Sequence, residues 1–97
     1  MSDELITRKD LKRSLDSIKQ AEDWIKAAEI LGLRVTRPGS GTSHSTIRKS
    51  NLPVDDPKGV ITTVYNGLYK EANIQIFKKL RRHGIEEDKI WKALGQL

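Results

Sequence analysis

The feature that most limits what this chain can fold into is a change of hydrophobic period on either side of one glycine-marked turn. From Thr7 to Gly32 apolar residues recur at helical spacing, whereas Leu33-Arg34-Val35-Thr36-Arg37 alternates apolar with polar, as a half-buried strand does. Pro38, Gly39 and Gly41 then supply a fixed φ and two positions free to take φ > 0. Ser45-Thr46-Ile47-Arg48 alternates again, less cleanly. The stretch reads as a β-hairpin with a small polar loop. His44 falls where that loop enters the second strand, beside the hydroxyls of Thr42, Ser43 and Ser45 and between Arg37 and Arg48. A titratable imidazole at the mouth of a hairpin, bracketed by cations, suits chemistry on an anion better than it suits a core.

The helical stretch before the hairpin carries two apolar stripes, Leu11, Leu15 and Ile18, then Trp24, Ile25, Ala28 and Leu31. On one ideal helix the second stripe would point about 80–100° away from the first, so a bend or break is expected between Ile18 and Glu22. Ser17-Ile18-Lys19-Gln20 fits a capping box and places a restart there, and Gly32 is a good residue to close the helix. After the hairpin, Asn51 to Gly59 holds two prolines and two acids without a period and reads as a loop. Val60 to Tyr65 is β-branched almost throughout, a third strand that should be central or half-buried, ended by Asn66-Gly67.

A second helix should put Tyr69, Ala72, Ile76, Phe77 and Leu80 on one face and run to about His83, with Gly84 stopping it. The cations Lys78, Lys79, Arg81 and Arg82 near its end are an ordinary complement to the helix dipole. Ile85 to Leu94 predicts a short final helix with acids in its first turn and Ile90, Trp91 and Leu94 apolar. The expected fold is therefore α+β. A three-stranded antiparallel meander carries both main helices on one face and leaves the other face open.

Ninety-seven residues make one domain, 1–97, in which such elements bury only roughly 60–65% of the unfolded surface. Its core spans about 18–85, with helical extensions at 1–17 and 86–97. Without cysteine there is no disulfide framework or cysteine zinc site. The opening Met1-Ser-Asp-Glu-Leu lacks the apolar run of a secretory signal, and no stretch approaches the ~18 apolar residues that span a bilayer. A cytoplasmic protein without a membrane partner is expected. Eighteen Lys and Arg against 13 acids give a net charge of +5, which favours nucleic acid or an acidic protein as partner.

Several enzyme signatures are missing. Gly39-Ser40-Gly41 lacks the third glycine of a dinucleotide fingerprint and precedes a strand, there is no Walker lysine pattern, and His44 and His83 have no metal-ligand spacing. A Ser-His-Asp arrangement stays open, though no nucleophile elbow is present. What remains is a lone histidine with basic neighbours, a residue that is more often simply on the surface. Such a site could nonetheless cleave RNA without metal or other cofactor. An imidazole can take the proton from a 2′-hydroxyl, and a cation can stabilise charge developing on the phosphate.

The run Trp24-Ile-Lys-Ala-Ala-Glu-Ile-Leu-Gly-Leu-Arg-Val35, the glycine-bearing loop with Ser43-His44, the strand Val60 to Val64 and the helix ending Leu80-Arg-Arg-His-Gly-Ile85 together resemble the HicA family of mRNA interferase toxins. The resemblance covers about Ile18 to Ile85. It implies a double-stranded-RNA-binding-domain-like fold, helix–three strands–helix, and a toxin of a type II toxin–antitoxin system that cleaves mRNA. It carries the family's active-site histidine, in a Gly-Ser-His motif at the start of the second strand, over to His44, with Ser43 beside it. It also implies a HicB-like antitoxin as partner. Two departures stand out: Thr42 occupies the place of the motif's glycine, and Tyr65-Asn66 stand where many members carry a second histidine after the third strand. By position on or beside the strands nearest the loop, Arg37, Arg48, Lys49 and Lys70 are, with Ser43, the expected substrate contacts, ahead of Arg81 and Arg82. The competing reading from a different class is a non-catalytic RNA- or DNA-binding module on the same fold. A third is a protein-interaction adaptor using the Trp91 helix.

Overall fold

The computed structural model describes residues 5–36, 44–53 and 56–97. A one-turn helix α1 (Lys9–Lys12) runs into a 3-10 segment (Arg13–Ser17) and is followed by α2 (Ala21–Ile30). Strands β1 (Arg34–Thr36), β2 (Ser45–Arg48) and β3 (Val60–Val64) come next, then α3 (Lys70–Arg82) and α4 (Glu87–Ala93). The expected break falls at Ile18, whose backbone is extended. The capping box does not form, because α2 begins only at Ala21 with Gln20 as its N-cap; the Ser17 hydroxyl donates to the Ser14 carbonyl at 2.6 Å. The acceptor at the α2 N-terminus comes from the turn after β3: the Ala21 N–H donates to Asn66 Oδ1 at 3.0 Å. The Gly67 and Leu68 amides donate to the Lys19 carbonyl at 2.9 and 3.1 Å, so the end of β3 and the start of α2 are stitched together.

The sheet is an antiparallel meander in the order β1-β2-β3. β2 is central, and β3 lies at an edge and is half-buried, one of the two placements expected of its β-branched run. A β-branched run satisfies an edge strand equally well when one of its faces is covered. Register runs Val35↔Ile47 and Thr36↔Thr46 on one side of β2, and Ser45↔Val64, Thr46↔Thr63 and Ile47↔Thr62 on the other. The next pair is Arg48↔Val60, so Ile61 is an extra residue, and this bulge lets consecutive Ile61 and Thr62 both be buried. The hairpin loop expected at Pro38, Gly39 and Gly41 lies outside the described residues.

α2 packs against all three strands and α3 against β3. One buried cluster joins Trp24, Ile25, Ile47, Val64, Phe77 and Leu80. The flanking segments belong to the same cluster through Ile6 and Leu15 on one side and Ile90 and Trp91 on the other. The Trp91 indole lies 4.6 Å from the Phe77 ring, centroid to centroid, so the final helix turns its apolar side inward. Among the described residues no helix is long and apolar enough to cross a membrane.

Two polar side chains hold this core in register. Asn73, fully buried on α3, accepts from Trp24 Nε1 at 2.9 Å and donates through Nδ2 to the carbonyls of Leu15 and Ile18, at 2.6 and 2.9 Å. Glu87, at the start of α4, accepts from the backbone N–H groups of Thr7 and Arg8, from the Thr7 hydroxyl and from Trp91 Nε1. Beside it, the exposed Arg8 and Asp88 form an ion pair at 2.7 Å. Burial opposes ionisation of Glu87, but the hydrogen bonds from Thr7, Trp91 and Arg8 outweigh it and hold the carboxyl at about 2.

Because that value lies below the 4.5 of an unperturbed Glu, the clamp stabilises fully above about pH 4.5 and is lost as the pH falls toward 2. A shift of this size corresponds to roughly 3 kcal/mol. The wild-type melting temperature should therefore fall steeply between about pH 4.5 and 2.5, and Glu87→Gln should melt lower near neutrality but lose much of that acid sensitivity. Equal acid slopes for the two proteins would show that Glu87 is not the group responsible.

Candidate active site

Strand periodicity decides which side chains meet at the open face. Ser45 and Ile47 of β2 point into the core, so His44, Thr46 and Arg48 share the opposite face. The register adds Thr36 and Thr63 on either side of Thr46. One step beyond the Ser45↔Val64 pair, it sets Tyr65 across from His44. The two rings do meet, with centroids 5.3 Å apart and planes at 89°, an edge-to-face contact. His44 is exposed while Tyr65 is half-buried, so the tyrosine is the anchored member and the imidazole rests against it. Contacts of this geometry are worth about 0.5–1.5 kcal/mol, enough to favour one orientation of an exposed ring.

Arg48 stands opposite Arg34 in the β1–β2 ladder, and two like charges directly across a sheet repel. They are drawn apart. Arg34 Nη1 reaches the Leu52 carbonyl at 3.4 Å, whereas Arg48 Nε donates to Thr36 Oγ1 at 3.2 Å. Thr36 is level with Thr46, so this bond turns the Arg48 guanidinium back along the open face toward the His44 end.

The other expected contacts divide. Lys70 is the first, exposed residue of α3, and α3 begins just after β3 ends beside His44. Lys49 lies at the other end of β2, roughly 16 Å along the strand from His44. There it neighbours His83, whose imidazole is held below its ordinary value by partial burial and by the Lys49 charge. Arg37 and Ser43 lie outside the described residues. Arg81 is occupied structurally, donating to the carbonyls of Leu5 at 3.0 Å and Ile85 at 2.9 Å. Among the described residues no three His, Asp or Glu side chains gather as a metal-ligand set.

A groove of about 220 Å³ adjoins this face, between β3 and α3, bordered by Thr63, Tyr65, Tyr69, Gln75 and Lys79 among others. Tyr69, expected on the apolar face of the helix, is 57% exposed at its rim. A second hollow of about 400 Å³ lies between the end of α2 and α4, lined by Ile30, Leu31, Lys89, Lys92 and Ala93. In the sequence Tyr65 marks the end of the third strand and a departure from a family pattern, with no sign of a partner. Its contact with His44 depends on the β2–β3 register, and the long connection between those strands hides that register from any turn rule.

Compared with protein-family models, with curated proteins and with solved structures, the chain matches none.

If the Tyr65 ring is seated against the imidazole, Tyr65→Leu should shift the carbon-bound proton resonances of His44, because the aromatic ring current is removed. The matched spectra should leave the His83 resonances in place. Unchanged His44 resonances would mean that the two rings are apart in solution.

Proposed function

We propose that this protein is a metal-independent endoribonuclease acting on mRNA, the toxin of a type II toxin–antitoxin pair of HicA type, with His44 as its acid–base residue. The observation that carries the reading is the position of His44. An exposed imidazole immediately precedes the central strand, rests edge-on against Tyr65, and shares the open sheet face with the guanidinium of Arg48. The order helix, three antiparallel strands, helix and the net charge of +5 agree with it. On this proposal the arrangement of helices and sheet is that of a double-stranded-RNA-binding domain, and the chain works in the cytoplasm.

The chemistry needs few parts. Neutral His44 takes the proton from a 2′-hydroxyl, the 2′-oxygen attacks the adjacent phosphorus, and the bond from phosphorus to the 5′-oxygen breaks. The departing 5′-oxygen takes up a proton from the imidazolium, which leaves a 2′,3′-cyclic phosphate on one product and a 5′-hydroxyl on the other. Arg48, with Lys70 and Arg37 as further cations, stabilises the charge on the non-bridging phosphate oxygens. Tyr65 sets its ring edge-to-face against the imidazole. Its part is to orient the imidazole.

A free ribonuclease of this kind would damage its own cell, so the proposal includes a HicB-like antitoxin. An acidic partner seated over the His44 end would exclude RNA and satisfy the same cations, making inhibition competitive with substrate. A non-catalytic RNA- or DNA-binding module would use Arg48 in the same way without needing His44.

His44→Ala separates the two. The variant should cleave single-stranded RNA roughly 10²–10⁴-fold more slowly than wild type, with unchanged circular dichroism and melting, because an exposed residue contributes little packing. Cleavage at the wild-type rate would remove the catalytic assignment. A wild-type protein that binds RNA without cutting it would establish the binding module instead.

A further inference from the structure

We infer that the groove between β3 and α3 is a subsite for one unpaired nucleobase of the strand cut at His44, with Tyr69 as the stacking surface and Lys79 meeting a phosphate further along; the inference rests on the ribonuclease reading above. Tyr65 makes the connection. The ring that touches His44 also borders the groove, so a strand offering a 2′-hydroxyl to the imidazole passes directly beside this opening.

The lining has the chemistry of a base and its backbone. Tyr69 is 57% exposed and therefore contributes little to the core. Thr63 and Gln75 offer hydroxyl and amide groups that can both donate and accept, the pairing capacity a base edge requires. Lys79 supplies a positive charge, and among the described residues no carboxylate borders the groove. These residues line up because Tyr69, Ala72, Ile76 and Lys79 recur at three- and four-residue intervals along one side of α3. Ala72 keeps the floor low between the tyrosine and the lysine.

Size narrows the ligand further. About 220 Å³ lies below the range of pockets that enclose drug-sized ligands, and it matches a flat heterocycle entering from one side. A duplex could not present an unstacked base to such an opening. Single strands are recognised by this combination of aromatic platforms and cations.

The test uses the full-length chain carrying His44→Ala, so that binding is read without turnover. The probe is a short fluorescein-labelled single-stranded RNA of mixed sequence, followed by anisotropy. Adding Tyr69→Ala should raise Kd roughly 5–100-fold, the loss of one base–aromatic stack. Tyr69→Phe should restore most of the affinity. Lys79→Gln should reduce the slope of log K against log salt by about 0.7. Because both side chains face solvent, thermal melts should overlay that of the parent. If Tyr69→Ala and Lys79→Gln bind the probe with the parent's Kd and salt slope, the subsite assignment is wrong, while cleavage by the His44-intact protein still upholds the ribonuclease reading. If the parent fails to bind the probe and wild type fails to cut it, the subsite falls together with that reading.

Discussion

The hydrogen bonds of Asn73 are the constraint on which the rest of the molecule depends. One amide on α3 joins the indole of Trp24 on α2 to two carbonyls of the segment that precedes it, all inside the apolar core. Leaving such groups unpaired costs about 1–3 kcal/mol each, so the amide tolerates few alternative placements of α3. Apolar contacts alone would let α3 slide or rotate against α2, since they are not directional. With Asn73 seated, the side of α3 that starts at Tyr69 faces the edge of β3. The Glu87 clamp does the corresponding work at the other end, tying the Thr7 and Arg8 backbone to α4.

From that frame the open sheet face follows. The helices take the side of the sheet with Ile47 and Val64, which leaves His44, Thr46, Arg48, Thr36 and Thr63 on the other. Repulsion between Arg34 and Arg48 would scatter the two guanidinium groups. Thr36 captures one of them and directs it toward the imidazole. The imidazole and a guanidinium thus share one open face of the sheet.

Much of this was legible in the residues. The two apolar stripes foretold the break at Ile18, because a rigid helix cannot aim both at one core. Glycine ends the helices at Gly32 and Gly84 with φ of 80° and 89°, conformations that a side chain would strain. What escaped was decided by long-range packing. Periodicity counts Tyr69 as apolar and Asn73 as polar, whereas the fold exposes the first and buries the second. The cap of α2 comes from Asn66, forty-five residues away, which no local capping rule can find. Lys49 follows Arg48 in sequence, yet the end of the strand carries it to His83 and away from His44.

The central claim is that one imidazole cuts RNA without a metal ion, and the chemistry of the cut ends tests it most directly. Purified wild-type protein should cleave a single-stranded RNA equally well in EDTA, and mass spectrometry of the fragments should find 2′,3′-cyclic or 2′/3′-phosphate ends with 5′-hydroxyl partners. Fragments ending in a 3′-hydroxyl, formed only when magnesium is supplied, would contradict the account.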